Sequence, residues 1–166
     1  MFTIYVYVLD TLADWELGHV ISELNSGRFF KKDARRISLK TVSYSKAPIH
    51  TMGGLTILPD CLIEDIVVGK TSLLLLPGAD DLERPKAWGY PRKSKRISRF
   101  RRYGVRHLWC YRCPCQLGLL DKRPHTSNGP GFLEMVSPGY KGQSYYIDKP
   151  SVSEGNLITA APTGAL

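Results

Sequence analysis

The chain has 166 residues, 43% of them apolar and 23% charged, which allows one domain with a packed core and is too short for two large ones. A formal net charge of +8 suggests a nucleic-acid partner at first sight, but residues 87–116 hold nine Lys and Arg and no acid, leaving fourteen basic against fifteen acidic residues elsewhere. No apolar run approaches the ~20 residues of a spanning helix, and MFTIYVYVLD lacks the basic start and small-residue cleavage site of a signal peptide, so the expectation is a cytoplasmic protein with free thiols and no membrane partner.

Ile4–Leu9 alternates β-branched and aromatic residues and predicts a strand. Asp14–Leu24 places Trp15, Val20, Ile21 and Leu24 at roughly helical spacing, with Gly27 as the stop and Asp14 and Trp15 read as cap and packing. Ile37–Ser43 is strand-like. Gly53-Gly54 turns into a short strand, Leu55–Leu58, and Asp60 would cap a short helix, Cys61–Ile66, in which Cys61 is a semi-buried structural residue. Ser72–Leu76 is a continuous apolar strand ending in Pro77-Gly78. Another strand is expected near residues 104–109, and Gly118–Asp121 closes a helix. Tyr145–Ile147 and Leu157–Ala160 are further strands, the second preceded by a turn at Glu154-Gly155-Asn156. No internal repeat is visible. Strands alternating with helices around a buried central strand predict a single α/β sandwich over residues 1–166 with a mostly parallel sheet.

Ligands gather at the carboxyl ends of the strands in such sheets. Three loops qualify: Asp10–Glu16, Pro77–Ala79, and the loop after the strand near 104–109.

VYVLDTLADWELG (6–18), MGGLTILPD (52–60), LLLLPGAD (73–80), GLLDKRPHTSN (118–128) and SEGNLITAAPTGAL (153–166) together resemble the ThiJ/PfpI family of the class I glutamine amidotransferase-like superfamily. The resemblance covers the chain outside 87–116. It implies a flavodoxin-like three-layer sandwich and a reactive Cys at a sharp strand-to-helix turn, in a string of the type I-C-G-A-T-x-A-L-A ahead of G-L-L-D. A Glu from the first loop sits by that Cys, which maps onto Glu16, and a His follows, which maps onto His125. The backbone N–H groups of Gly78 and Ala79 become oxyanion-hole candidates, although the family often has a second Gly where Ala79 stands. The family also continues into a further helix beyond Leu166, so the chain is expected to be incomplete at its C-terminus.

The position of the Cys is occupied by Leu108-Trp109. The genetic code offers an account. Taking the second and third nucleotides of each codon with the first of the next, Trp109/Cys110 must encode Gly, Leu108/Trp109 admits Cys, and I-C-G-A-T-x-A-L-A fits from His107 to Gln116. The same shift turns Tyr90–Ser98 into a string that admits I-L-E-K-A-x-E-L-L, an amphipathic helix former. A one-nucleotide shift near Lys86 and a compensating one near Gln116 account for the block, whether through a sequencing error, a decayed gene or both. The fold is therefore expected to be locally disrupted at 87–116.

With an elbow Cys, a helix N-terminus would stabilise the thiolate, Glu16 would hydrogen-bond it or shuttle a proton, and His125 would serve as base or electrostatic partner. Without it, the expectation is an inactive relative of a cysteine hydrolase, of the intracellular protease, amidase or glyoxalase/deglycase type. The intact family acts on small molecules or peptides, often as a homodimer. The alternative is a non-catalytic scaffold or stress-response relative. A third reading takes the block literally: His107, Cys110, Cys113 and Cys115 would bind zinc, and its arginines with Tyr90, Phe100, Tyr103 and Trp109 would bind nucleic acid. C-x-x-C-x-C with one His is tight for a tetrahedral site and no second C-x-x-C pair exists, so no metal and no nucleic acid are expected. Neither a G-x-G-x-x-G nor a G-x-x-x-x-G-K string is present, so no organic cofactor is expected.

Overall fold

The computed structural model of the chain describes residues 1–67, 69, 72–80, 107–108, 115 and 118–161. Strand β1 (Phe2–Tyr7) lies in the interior of the sheet. Its side chains alternate between two apolar clusters. Ile4, Val6 and Val8 pack with Leu12, Leu17 and Leu75 on one face; Tyr5, Tyr7 and Leu9 pack with Leu74, Leu76, Leu120, Leu133 and Leu157 on the other. Both sets are buried. Such double burial is characteristic of a parallel strand covered on both sides, and each fully buried Leu or Ile contributes about 1.5–3 kcal/mol.

Helix α1 (Asp14–Ser26) covers the Ile4 face through Leu17, Val20, Ile21 and Leu24. Its C-terminus is closed by Gly27 at φ 62°, whose N–H donates to the Glu23 carbonyl, a left-handed cap suited to glycine. Strand β2 (Ile37–Ser43) pairs parallel with β1, from Phe2↔Ile37 to Tyr7↔Val42. A two-stranded antiparallel ribbon follows, β3 (Ile49–His50) with β4 (Thr56–Ile57). Strand β5 (Cys61–Leu62) pairs with β2, and β6 (Ser72–Leu76) pairs parallel with the other side of β1. Strand β7 (His107–Leu108) adds to β6, then the β8 (Ser151–Glu154) and β9 (Leu157–Ala160) hairpin closes the sheet. The order is β5-β2-β1-β6-β7-β9-β8, antiparallel only at β8–β9. Helix α2 (Phe132–Val136) lies in the second cluster through Leu133, opposite α1. The β2-β1-β6-β7-β9 sequence is the flavodoxin-like order, and its direction reverses between β1 and β6, where a crevice opens at the carboxyl ends.

Several local expectations are corrected. Asp60 caps no helix: its carboxylate accepts from the N–H (2.7 Å) and hydroxyl (2.8 Å) of Thr41, and residues 61–65 form β5 and a single 3-10 turn, Ile63–Asp65. Pairing with β2 outweighs the local helical signal. Cys61 is half-buried there, and burial pushes its thiol above the ordinary range. The N-cap of α1 is Ala13, with no side-chain cap bond. Trp15 does not pack inside; it is 54% exposed, while Leu17 is the buried residue of that helix. Residues 143–145 form a 3-10 turn instead of a strand, leaving only an isolated bridge between His125 and Tyr146. The expected disruption at 87–116 lies outside the described residues, except for β7, which enters the sheet where a strand was expected, and the buried Cys115.

Candidate functional site

The chain leaves β1 through a clamped turn. Thr11 adopts φ 60°, a left-handed conformation that costs a β-branched residue on the order of 1–3 kcal/mol and persists only where surroundings impose it. Two segments impose it here. On one side Thr11 N–H donates to the His50 carbonyl (2.8 Å) and Met52 N–H to the Leu12 carbonyl (2.9 Å). On the other, Ala13 N–H donates to the Gly78 carbonyl (3.0 Å) and Asp80 N–H to the Thr11 carbonyl (3.4 Å). Leu12 and Ala79 thereby form an antiparallel bridge.

The turn delivers two carboxylates into the first turn of α1, where the helix dipole favours negative charge. Asp14 accepts the Gly53 N–H at 2.6 Å. Burial raises its pKa, but bonds from the Thr51 hydroxyl, the Gly53 N–H and its own N–H outweigh burial and hold it below the ordinary carboxylate value. Glu16 turns the other way and accepts the Gly78 N–H at 2.5 Å. Burial raises its pKa above the ordinary 4.5, and the Gly78 N–H offsets only part of that. Two carboxylates two residues apart thus have pKa values pushed in opposite directions, a pattern associated with acid–base sites.

Gly78 is the residue that permits this approach. A Cβ there would lie 2.8 Å from Glu16 Oε1. The Gly78 N–H, expected as an oxyanion donor, is instead engaged by Glu16, and its carbonyl by Ala13. Leu108 is the last residue of β7, aligned with Leu76 on one side and Thr159 on the other, so its backbone ends beside β6 at the same edge of the sheet. Trp109, Cys110 and Cys113 lie outside the described residues.

His125 occupies a different setting. It is fully buried. Nδ1 lies 2.6 Å from the Arg123 carbonyl, which can only accept, so Nδ1 carries the proton. Nε2 then accepts the Tyr140 hydroxyl at 2.6 Å. Tyr140 and Tyr146 stand edge-on to the ring, and burial lowers its pKa below 6.5 although the Arg123 carbonyl pulls the other way. Burial in turn pushes the Tyr140 phenol well above its ordinary value. Both imidazole nitrogens are occupied, and among the described residues no hydrogen bond joins His125 to Glu16. Arg123 fastens this loop to the β8–β9 turn, donating to the Glu154 carbonyl (2.6 Å) and Asn156 Oδ1 (2.8 Å).

Sequence reasoning missed the Asp14–Gly53 bond and the tyrosines around His125. The Gly53-Gly54 turn was a signal for the first, without its partner. No motif marked Tyr140 or Tyr146. Among the described residues no group of three or more His, Cys, Asp or Glu is placed to hold a metal, and no helix is long and apolar enough to cross a membrane.

Comparison with known proteins adds an independent line. The DJ-1/PfpI family pattern matches residues 2–88. The chain is 38% identical over 167 aligned residues to a Bacillus subtilis (strain 168) protein named "Uncharacterized protease YoaZ", covering 95% of this chain and 75% of that one. It is similar to the crystal structure of a thiJ/pfpI family protein from Bacillus anthracis, with a TM-score of 0.86 and 36% identity over 99% of this chain and 80% of that one. It shares the fold of the DJ-1 superfamily protein Atu0886 from Agrobacterium tumefaciens, with a TM-score of 0.72 and 23% identity over 98% of this chain and 83% of the other.

Proposed function

Because this chain belongs to the DJ-1/PfpI family, we propose that it is built on a cysteine-hydrolase site of the protease/amidase or glyoxalase/deglycase type, with Glu16 as its acid–base residue and turnover lost where Leu108-Trp109 replaces the elbow Cys. The observation that carries this reading is the Glu16 carboxyl at the β1/β6 reversal, with burial raising its pKa and its bond to Gly78 fixing its position. A carboxyl tuned upward can take a thiol proton and return it to a leaving group. The similarity to a relative named a protease supports the hydrolytic side of the reading.

Here His125 is a positioning residue. Buried, neutral and bonded at both nitrogens, it holds Tyr140 and the 118–128 loop in place. While Glu16 occupies the Gly78 N–H, that group serves an oxyanion only after the carboxyl swings away. The substrate would be a small carbonyl compound or a peptide amide, and a homodimer is part of the same reading.

The test compares the chain as it stands with a variant whose residues 87–116 are replaced by the shifted-frame translation containing I-C-G-A-T. The expected result is no turnover of a fluorogenic peptide amide or a small α-oxoaldehyde by the first, turnover by the second, and its loss again with Glu16→Gln. Turnover by the chain as it stands, or none by the repaired chain, would overturn the reading.

A further inference from the structure

At the amino ends of β1 and β2, opposite the crevice, the connection from α1 carries the sequence RFFKKDARR (28–36). Every one of these nine residues is exposed. They include five cations, Arg28, Lys31, Lys32, Arg35 and Arg36, and one carboxylate, Asp33. The chain outside 87–116 is otherwise near charge balance, so this is a local concentration. Arg28 is paired with Glu23 and lies over the Phe29 ring; among the described residues the other four cations make no ion pair.

The segment is held in a set shape. Phe30 N–H donates to the Gly27 carbonyl, Ala34 N–H to the Lys31 carbonyl and Phe2 N–H to the Arg36 carbonyl, each at 2.9 Å. Phe29 stands out from the surface at 83% exposure and Phe30 at 41%. With Phe2 and Ile37 they line an open cleft of about 620 Å³, to which Lys31, Arg35 and one carboxylate, Asp33, also contribute.

We propose that this loop is a docking site for an anionic phospholipid surface. Phenyl rings on an exposed turn can enter the acyl boundary while lysine and arginine heads remain at the phosphates. Neither element suffices alone; reversible anchoring needs an apolar insertion together with a polybasic patch, and both are present within nine residues. The two rings share one cleft with Phe2 and Ile37, a clustered apolar surface that suits acyl chains better than spaced nucleic-acid bases. The expectation of no membrane partner rested on the lack of a spanning segment, and surface docking requires none.

The test is co-sedimentation of the full chain with phosphatidylcholine vesicles containing about a third phosphatidylserine, a composition that gives a strongly negative surface. Binding is expected at low salt, with loss on raising salt as screening shortens the reach of the charges. Phe29→Ser/Phe30→Ser, which keeps every charge, is expected to weaken partitioning at least about tenfold, and Lys31→Gln/Lys32→Gln/Arg35→Gln/Arg36→Gln more than that. Arg99→Gln/Arg101→Gln/Arg102→Gln, in the other basic segment, is the control and is expected to preserve the Phe dependence. All substituted loop side chains are exposed, and unchanged near-UV circular dichroism verifies folding. Binding insensitive to the Phe pair, equal binding to pure phosphatidylcholine, or a loop dependence seen with a homopolymeric RNA but not with vesicles would overturn the proposal.

Discussion

The Glu16 carboxylate and the Gly78 N–H, 2.5 Å apart, tie the first turn of α1 to the loop after β6. A Cβ at residue 78 would meet Glu16 Oε1 at 2.8 Å, and its other near neighbours belong to the same carboxylate. Gly78→Ala should therefore cost about 1–2 kcal/mol in urea unfolding, and only a few tenths in a Glu16→Ala background. An undiminished cost in that background would place the clash elsewhere.

Glu16 and His125 couple stability to pH with opposite signs. Burial raises the folded pKa of Glu16, so its contribution is complete below the unfolded value of 4.5 and fades as pH rises through the folded value. Burial lowers the folded pKa of His125, so its contribution is present above 6.5 and is lost as pH falls through the folded value. Denaturant midpoints measured between about pH 8 and pH 5 should fall on the acid side, and His125→Gln should flatten that slope. Nitrogen chemical shifts of His125 should report the Nδ1–H tautomer at neutral pH.

Gly142 is fixed by space. Its φ of −98° suits any residue, yet a Cβ would lie 2.7 Å from Tyr140 Cε2 and 2.9 Å from His125 Cε1, and would also press on the Leu120 carbonyl. Gly142→Ala should cost about 2–3 kcal/mol by overpacking. Gly139→Ala, with nothing within 4 Å, should stay within about 0.5 kcal/mol. Thermal melts of the pair decide the matter.

Asp14 pins the β3–β4 ribbon to α1 through the Gly53 N–H. Asp14→Ala should cost about 1–2 kcal/mol and speed hydrogen exchange at the Gly53 amide ahead of the strand amides. Because its folded pKa is depressed, the wild-type contribution is present above the unfolded value of 3.8 and is lost as pH falls through the folded value.

The central strands and the first helix were legible because their signals are local and strong. The alternation of Ile4–Leu9, the apolar run Leu73–Leu76 and the glycine stop at Gly27 each decide a backbone state with little help from distant residues. The strand-end rule placed Glu16 and Gly78 in candidate loops and the family resemblance gave them roles, but their mutual bond was not legible, since it joins residues 62 positions apart. Asp60 misled because an aspartate before an apolar run reads as a cap, whereas Thr41, 19 residues earlier, claims its carboxylate. The burial of His125 was hidden for the same reason: the tyrosines that enclose it carry no spacing rule.

The β3–β4 ribbon is joined by two residue pairs, Ile49↔Ile57 and His50↔Thr56. The β2-β1-β6 half, by contrast, is stitched along six residue pairs on one side of β1 and four on the other. Strand β1 is therefore gripped along both edges, while the ribbon is a short flap. Cooperative units of unequal stability follow from such a layout: amides of β1 and β6 should exchange only through global opening, while those of the β3–β4 ribbon should be released earlier, by its peeling away from the turn after β1.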